Sequence, residues 1–174
     1  MIMEDQRELQ RQKDRELEKL RSEQNFNMGL ITSLIVGLIG AGLWAAITIA
    51  TNYQIGYMAL AIGAGVGFSM RYFGKGLDQK FGIAGAIIAL LSCVLGNVFT
   101  IIALLGNEVE ISFFEAASQL DYSVLPEIML ETGSPIDLLF YGIAAYEGYK
   151  FSFLPIAEEE KEEENQEKTP EIQP

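Results

Sequence analysis

Apolar residues in this chain come in blocks. Met28–Thr51, Ile55–Phe73 and Phe81–Leu105 form three long apolar runs, and charge gathers before Asn25, between Arg71 and Lys80, and after Asn107. Met28–Thr51 carries no charged side chain; at about 1.5 Å per residue it reaches roughly 36 Å, more than a hydrocarbon core of about 30 Å. A soluble core would instead give amphipathic helices or alternating strands. The pattern predicts an all-α, integral membrane four-helix bundle with spans at about 28–51, 55–73, 81–105 and 135–153. The first run follows a long mixed-charge segment and exceeds a signal h-region, so it is read as a retained span.

The fourth span, Pro135–Phe153, is interrupted by Glu147 and Lys150. It is predicted to cross because a fourth crossing returns Lys150 and the tail to the starting side; a re-entrant or surface helix is the alternative. Ser134, Pro135 and Asp137 suit N-cap, N1 and N3, and Tyr146, Tyr149, Phe151 and Phe153 suit an interfacial aromatic belt with a snorkelling Lys150. Residues 1–24 read as a solvated helix, supported by pairs such as Glu8/Arg11 and Lys19/Glu23. Asn25 is a candidate cap, and the apolar positions are too sparse for a sustained coiled-coil seam.

Charge sets the orientation. The turn around Asn52 and Tyr53 is uncharged, whereas Arg71, Lys75 and Lys80 lie in the second connection and six further cations lie between Arg7 and Arg21. Lys- and Arg-rich loops stay in the cytoplasm, so both termini are predicted there, in a cell inner membrane. Gly106–Gly133 holds six acids and no Lys or Arg, which suits an exoplasmic loop. Ser112 and Glu115 match a capping box. The apolar stripe Phe113–Ile128, broken by Pro126, predicts one or two short amphipathic helices, lying either on the membrane surface or on the bundle. Residues 25–156 thus form the membrane domain and 157–174 a disordered acidic tail.

The formal charge of −12 is a weak partner signal, because the tail alone holds eight Glu against Lys161 and Lys168. Such blocks are ordinarily solvated. With no basic patch beyond the balanced N-terminal segment, nucleic acid is excluded as an expected partner. The expected partners are the lipid bilayer and either a second copy or another membrane protein. There is no histidine and one cysteine, Cys93, which excludes an internal disulfide and a Cys/His zinc site.

Small residues recur at helical spacing in each strong span. Gly29, Ser33, Gly37, Ala41, Ala45 and Thr48 do so in the first; Gly56, Ala59, Gly63 and Gly67, reaching Arg71, in the second; Gly82, Gly85, Ala89, Ser92, Cys93, Gly96, Asn97 and Thr100 in the third. Helices in lipid associate through close backbone approach and interhelical hydrogen bonds. Gly37, Gly63, Gly67, Gly85 and Gly96 are therefore expected packing positions, with a water-lined pore as the competing use.

Four polar residues stand out: Arg71, Asn97, Asp137 and Glu147. Ionisable groups within spans are costly and merit a functional explanation. Arg71 and Glu147 are expected as an ion pair near the cytoplasmic ends, with a regulated gate as the alternative and Lys75 or Lys150 as substitute cations. Asp137 is either a helix-start acid or a proton or cation site. Asn97 is expected in an interhelical hydrogen bond. Ser92 and Cys93 lack a nearby base for nucleophilic use, and Gly74-Lys75-Gly76 lacks the full phosphate-loop spacing. No catalytic signature, metal site or cofactor motif emerges. The chain is read as a structural or adaptor component rather than an enzyme, with a small channel or transporter second and a membrane enzyme third.

The stretch Gly63–Asn97, with Arg71, the Gly74-Lys75-Gly76 turn, Asp78, Phe81-Gly82, Cys93 and Gly96-Asn97, resembles a family of small bacterial multi-pass membrane proteins. Ser134-Pro135-Ile136-Asp137 through Tyr146-Glu147-Gly148-Tyr149-Lys150 is similar to the last helix of that family. The likeness covers roughly Gly29–Phe153. It implies four spans in a bacterial membrane and carries no activity with it.

Overall fold

A computed structural model describes residues 2–51, 56–132 and 135–155. The predicted turn at Asn52 and Tyr53, the Ser134 cap and the acidic tail lie outside them. The described residues are helical throughout apart from connections and one isolated bridge: α1 Ile2–Ser22, α2 Phe26–Thr51, α3 Tyr57–Gly74, α4 Gln79–Glu108, α5 Phe113–Gln119, a 3₁₀ turn at Tyr122–Val124, α6 Leu125–Thr132 and α7 Pro135–Lys150. α2, with 26 residues, and α4, with 30, are long and apolar enough to cross a membrane.

Helices α2, α3, α4 and α7 form a bundle with α3 and α4 in contact across its middle. α2 and α3 run antiparallel, since Gly29 meets Gly74 while Gly40 meets Ile62. α4 and α7 are antiparallel as well, with Gly82 at Phe153 and Asn97 at Tyr141. α3 and α7 run parallel, with Gly56 at Phe140 and Gly67 at Phe151. Successive bundle helices therefore alternate in direction.

The bundle interior combines many small residues with a few large ones, Trp44, Ile62, Val66, Met70, Phe81 and Ile88. α2 buries Gly29, Ser33, Gly37, Ala41, Trp44 and Ala45. Its opposite side exposes Ile31, Leu34, Ile35, Leu38, Ile39 and Leu43, each about half accessible. α4 repeats the arrangement, burying Gly82, Gly85, Ala89, Ser92, Cys93 and Gly96 while exposing Ile83, Ile87, Leu90 and Leu91. A water-soluble bundle puts its large aliphatic side chains inside, where each contributes about 1.5–3 kcal/mol on burial. Here none of the Leu, Ile or Val side chains of α2 is buried, and in α4 only Ile88 and Ile102 are.

Helix ends follow local chemistry. The Asn25 side chain accepts a hydrogen bond from the Met28 N–H at 3.0 Å, capping α2. Ser112 accepts from the Glu115 N–H at 3.3 Å and opens α5. Pro126 stands in the first turn of α6, where its missing N–H costs nothing, so it starts a helix instead of breaking one. α5 lies on the bundle: Ala116 packs at Gly106, and Phe113 meets Phe99 edge to face at 5.8 Å. The last helix stops at Lys150, three residues short of the predicted span, because Phe153 leaves it to pair with Gly76.

Candidate functional site

Three distant pieces of chain converge at one end of the bundle. The link between α1 and α2 docks on the turn between α3 and α4: the Asn25 N–H donates to the Gly74 carbonyl at 2.9 Å, and the Leu77 N–H to Gln24 Oε1 at 3.4 Å. From the other side, the Leu154 N–H donates to the Gly76 carbonyl at 2.9 Å. Gly76 has room only for a hydrogen, since a methyl group there would lie 2.7 Å from the Ser152 carbonyl oxygen and 2.6 Å from Phe81 Cγ. Lys75 between the two glycines takes the left-handed conformation, φ 50°, and its N–H caps α3 on Arg71 O at 3.0 Å. The Gly74-Lys75-Gly76 segment is thus a tight turn ending one helix before the next begins.

Two of the cations at this end, Lys75 and Lys80, are held by neighbouring acids. Lys75 Nζ lies 2.7 Å from Glu23 Oε2, and this hydrogen-bonded ammonium holds the Glu23 carboxyl below its ordinary pKa. Lys80 pairs with Asp78 at 3.2 Å and rests over the rings of Phe81 and Phe26. Arg71 and Glu147, expected as an ion pair, are not joined. Gly67 touches the Glu147 carbonyl, so on parallel helices Arg71 sits one turn, about 6 Å, beyond the level of Glu147. The stack of Phe68 on Phe151, 4.8 Å between centroids, takes the intervening layer. Arg71 instead lines a groove with Lys75 and Glu23. Glu147 Oε2 is buried and accepts no hydrogen bond among the described residues.

Deeper in the bundle, Asn97 Nδ2 donates to the Tyr141 hydroxyl and ties α4 to α7. Ser33 Oγ donates to the Val66 carbonyl at 3.1 Å and ties α2 to α3. Ser92 is buried and bonds within its own helix to Ile88 O, and Cys93 is fully buried. Asp137 lies in the first turn of α7. Among the described residues no group of three or more Cys, Asp or Glu side chains could hold a metal ion.

The glycines mark where backbones meet. A methyl group on Gly63 would fall 2.6 Å from the Ala144 carbonyl oxygen, and one on Gly67 would fall 2.7 Å from Phe151 Cβ. Gly37 faces Ser92, Gly85 faces Gly148, and a methyl group on Gly96 would lie 3.1 Å from the Trp44 indole. Sequence reasoning read Gly74-Lys75-Gly76 as a tight turn but missed Gly148, Tyr141 and the inward use of Phe153. Ala144 and Gly148 do form a small-xxx-small pair, but Tyr146, Glu147 and Tyr149 around them obscure it. The expected aromatic belt divides accordingly: Tyr146 is exposed, whereas Phe153 is buried over Gly82 and meets Tyr149 edge to face at 5.1 Å.

No family model, curated protein or solved structure matches this chain.

Proposed function

We propose that the chain is a four-span integral membrane protein serving a structural or adaptor role, with the Gly76 end and both termini in the cytoplasm. The observation that carries the membrane reading is the distribution of bulk on α2 and α4: mostly small residues on their inner faces and large aliphatics on their outer faces. Lipid tails solvate such an exterior, while close backbone approach and interhelical hydrogen bonds hold the interior. The 18 residues of α3 reach roughly 27 Å and the 16 of α7 roughly 24 Å. Both fall short of about 30 Å, and beyond α7 Phe151–Phe153 carry the chain onward against Gly76 and Gly82.

The convergence of 23–25, 74–77 and 152–154 supports a common side for the N-terminal segment, the cationic turn and the chain after α7. Gly63 against Ala144 at mid-bundle, and Gly85 against Gly148 nearer the Gly76 end, close the bundle with backbone. That favours a scaffold over a conduit. The buried, unpaired Glu147 Oε2 is the observation favouring a transport role.

Gentle extraction of the full chain from native membranes, followed by mass analysis, tests the adaptor role. A stoichiometric membrane-protein partner is the expected result. A homogeneous self-assembly without partner, coupled to ion flux that Glu147→Gln abolishes, overturns it in favour of transport.

A further inference from the structure

The groove beside Arg71 lies at the converging end of the bundle and encloses about 510 Å³, within the range of roughly 300–1,000 Å³ typical of small-molecule sites. Phe68 and Tyr72, one turn apart on α3, line it together with Leu20 of α1, Leu154 and Pro155. Its charges are unbalanced. Lys75 and Glu23 neutralise each other at 2.7 Å. Arg71, half-buried, has no ion pair or hydrogen bond from its guanidinium among the described residues. A single uncompensated guanidinium thus sits in an otherwise apolar and aromatic surround.

The groove is also continuous with the outside of the bundle, where Phe68, Tyr72 and Phe73 of α3 are exposed. A ligand here meets a planar cation at one point and apolar surface beside it. A guanidinium recognises phosphate oxygens through paired N–H donors. One net positive charge matches the one negative charge of a phosphodiester. We propose that this groove is a binding site for an anionic phospholipid, with its phosphodiester on Arg71 and its apolar part along Phe68 and Tyr72. The proposal rests on the membrane reading above, which puts this end of α3 at headgroup level, where basic pockets between helices take lipid headgroups.

The Lys75–Glu23 pair sets the strength of the site. Neutralising Glu23 releases a second cation into the groove and strengthens lipid binding, whereas removing Arg71 leaves no free charge. This gives one variant expected to gain and one expected to lose.

The test offers full-length protein in dodecyl maltoside an equal mixture of dioleoylphosphatidylglycerol and dioleoylphosphatidylcholine, and native mass spectrometry reads what is retained. Wild type is expected to prefer phosphatidylglycerol by about fivefold, the equivalent of about 1 kcal/mol for one cation at an anionic surface. Arg71→Gln should fall to parity and Glu23→Gln should exceed wild type. A photoactivatable phosphatidylglycerol should label wild type within 68–75, which needs no variant to fold. Parity in wild type, or labelling only elsewhere, overturns the proposal. So does displacement of the lipid by inorganic phosphate, which would make the ligand a soluble anion. Parity in wild type with a preference appearing in the full-length Glu158→Gln, Glu159→Gln, Glu160→Gln variant would assign the groove to the chain's own acidic tail. A protein that stays dispersed without detergent refutes the membrane reading itself; one that needs detergent but shows no lipid preference refutes this proposal alone.

Discussion

Gly85 of α4 and Gly148 of α7 face each other so closely that each occupies the place of the other's missing side chain. A methyl group on Gly148 would lie 2.6 Å from the Gly85 carbonyl oxygen and 2.8 Å from Ala89 Cβ. The antiparallel pair α4 and α7 is therefore joined by backbone surfaces, which have little freedom to move aside.

Gly148→Ala should destabilise the bundle by about 1–3 kcal/mol, the usual cost of overpacking. Gly142→Ala in the same helix meets no atom within 4 Å and should stabilise by up to about 1 kcal/mol through helix propensity. Unfolding of both variants in detergent checks this contrast. Equal stability would mean that α4 and α7 do not meet at Gly148.

The bond between Asn97 and Tyr141 should show in a double-mutant cycle. Asn97→Leu and Tyr141→Phe are expected to couple by about 0.6–1.7 kcal/mol, the range for hydrogen bonds between membrane helices. Additive effects would exclude a direct bond.

The Glu23 carboxyl should titrate below its ordinary value of about 4.5, because the Lys75 ammonium favours its charged form. Its folded pKa is depressed, so the stabilisation is fully present above that ordinary value and is lost as pH falls through the lower folded value. Both side chains are partly exposed, so salt weakens the pair. Carboxyl NMR should find the Glu23 midpoint moving up in Lys75→Gln; an unmoved midpoint would refute the pair.

Topology is checked by thiol labelling. Cys93 is fully buried, so background reaction of wild type should be low. Gln119→Cys is expected to react from outside intact cells, and Gln79→Cys only after permeabilisation. The reverse pattern inverts the orientation.

Much of the bundle was legible because helical periodicity is written locally. Gly29, Ser33, Gly37, Ala41 and Ala45 recur at three- to four-residue spacing and all turn inward. Gly82, Gly85, Ala89 and Gly96 do the same in α4, and the caps at Asn25 and Ser112 needed only their neighbours. Such signals require no knowledge of another helix.

Partners were harder to read. Arg71 and Glu147 looked matched because both approach the same helix ends, yet a one-turn axial offset and the Phe68–Phe151 stack keep them apart. Lys75 found Glu23, which stands 52 residues away in sequence, and Phe153 turned inward because Gly76 and Gly82 leave space for its chain and ring. The sequence by itself determined which segments become helices, which faces are small and where charge collects, since each depends on spacing along one chain segment. Only the tertiary structure decided which face meets which and which ions pair. Those depend on the axial offset and rotation between packed helices, to which local periodicity is blind.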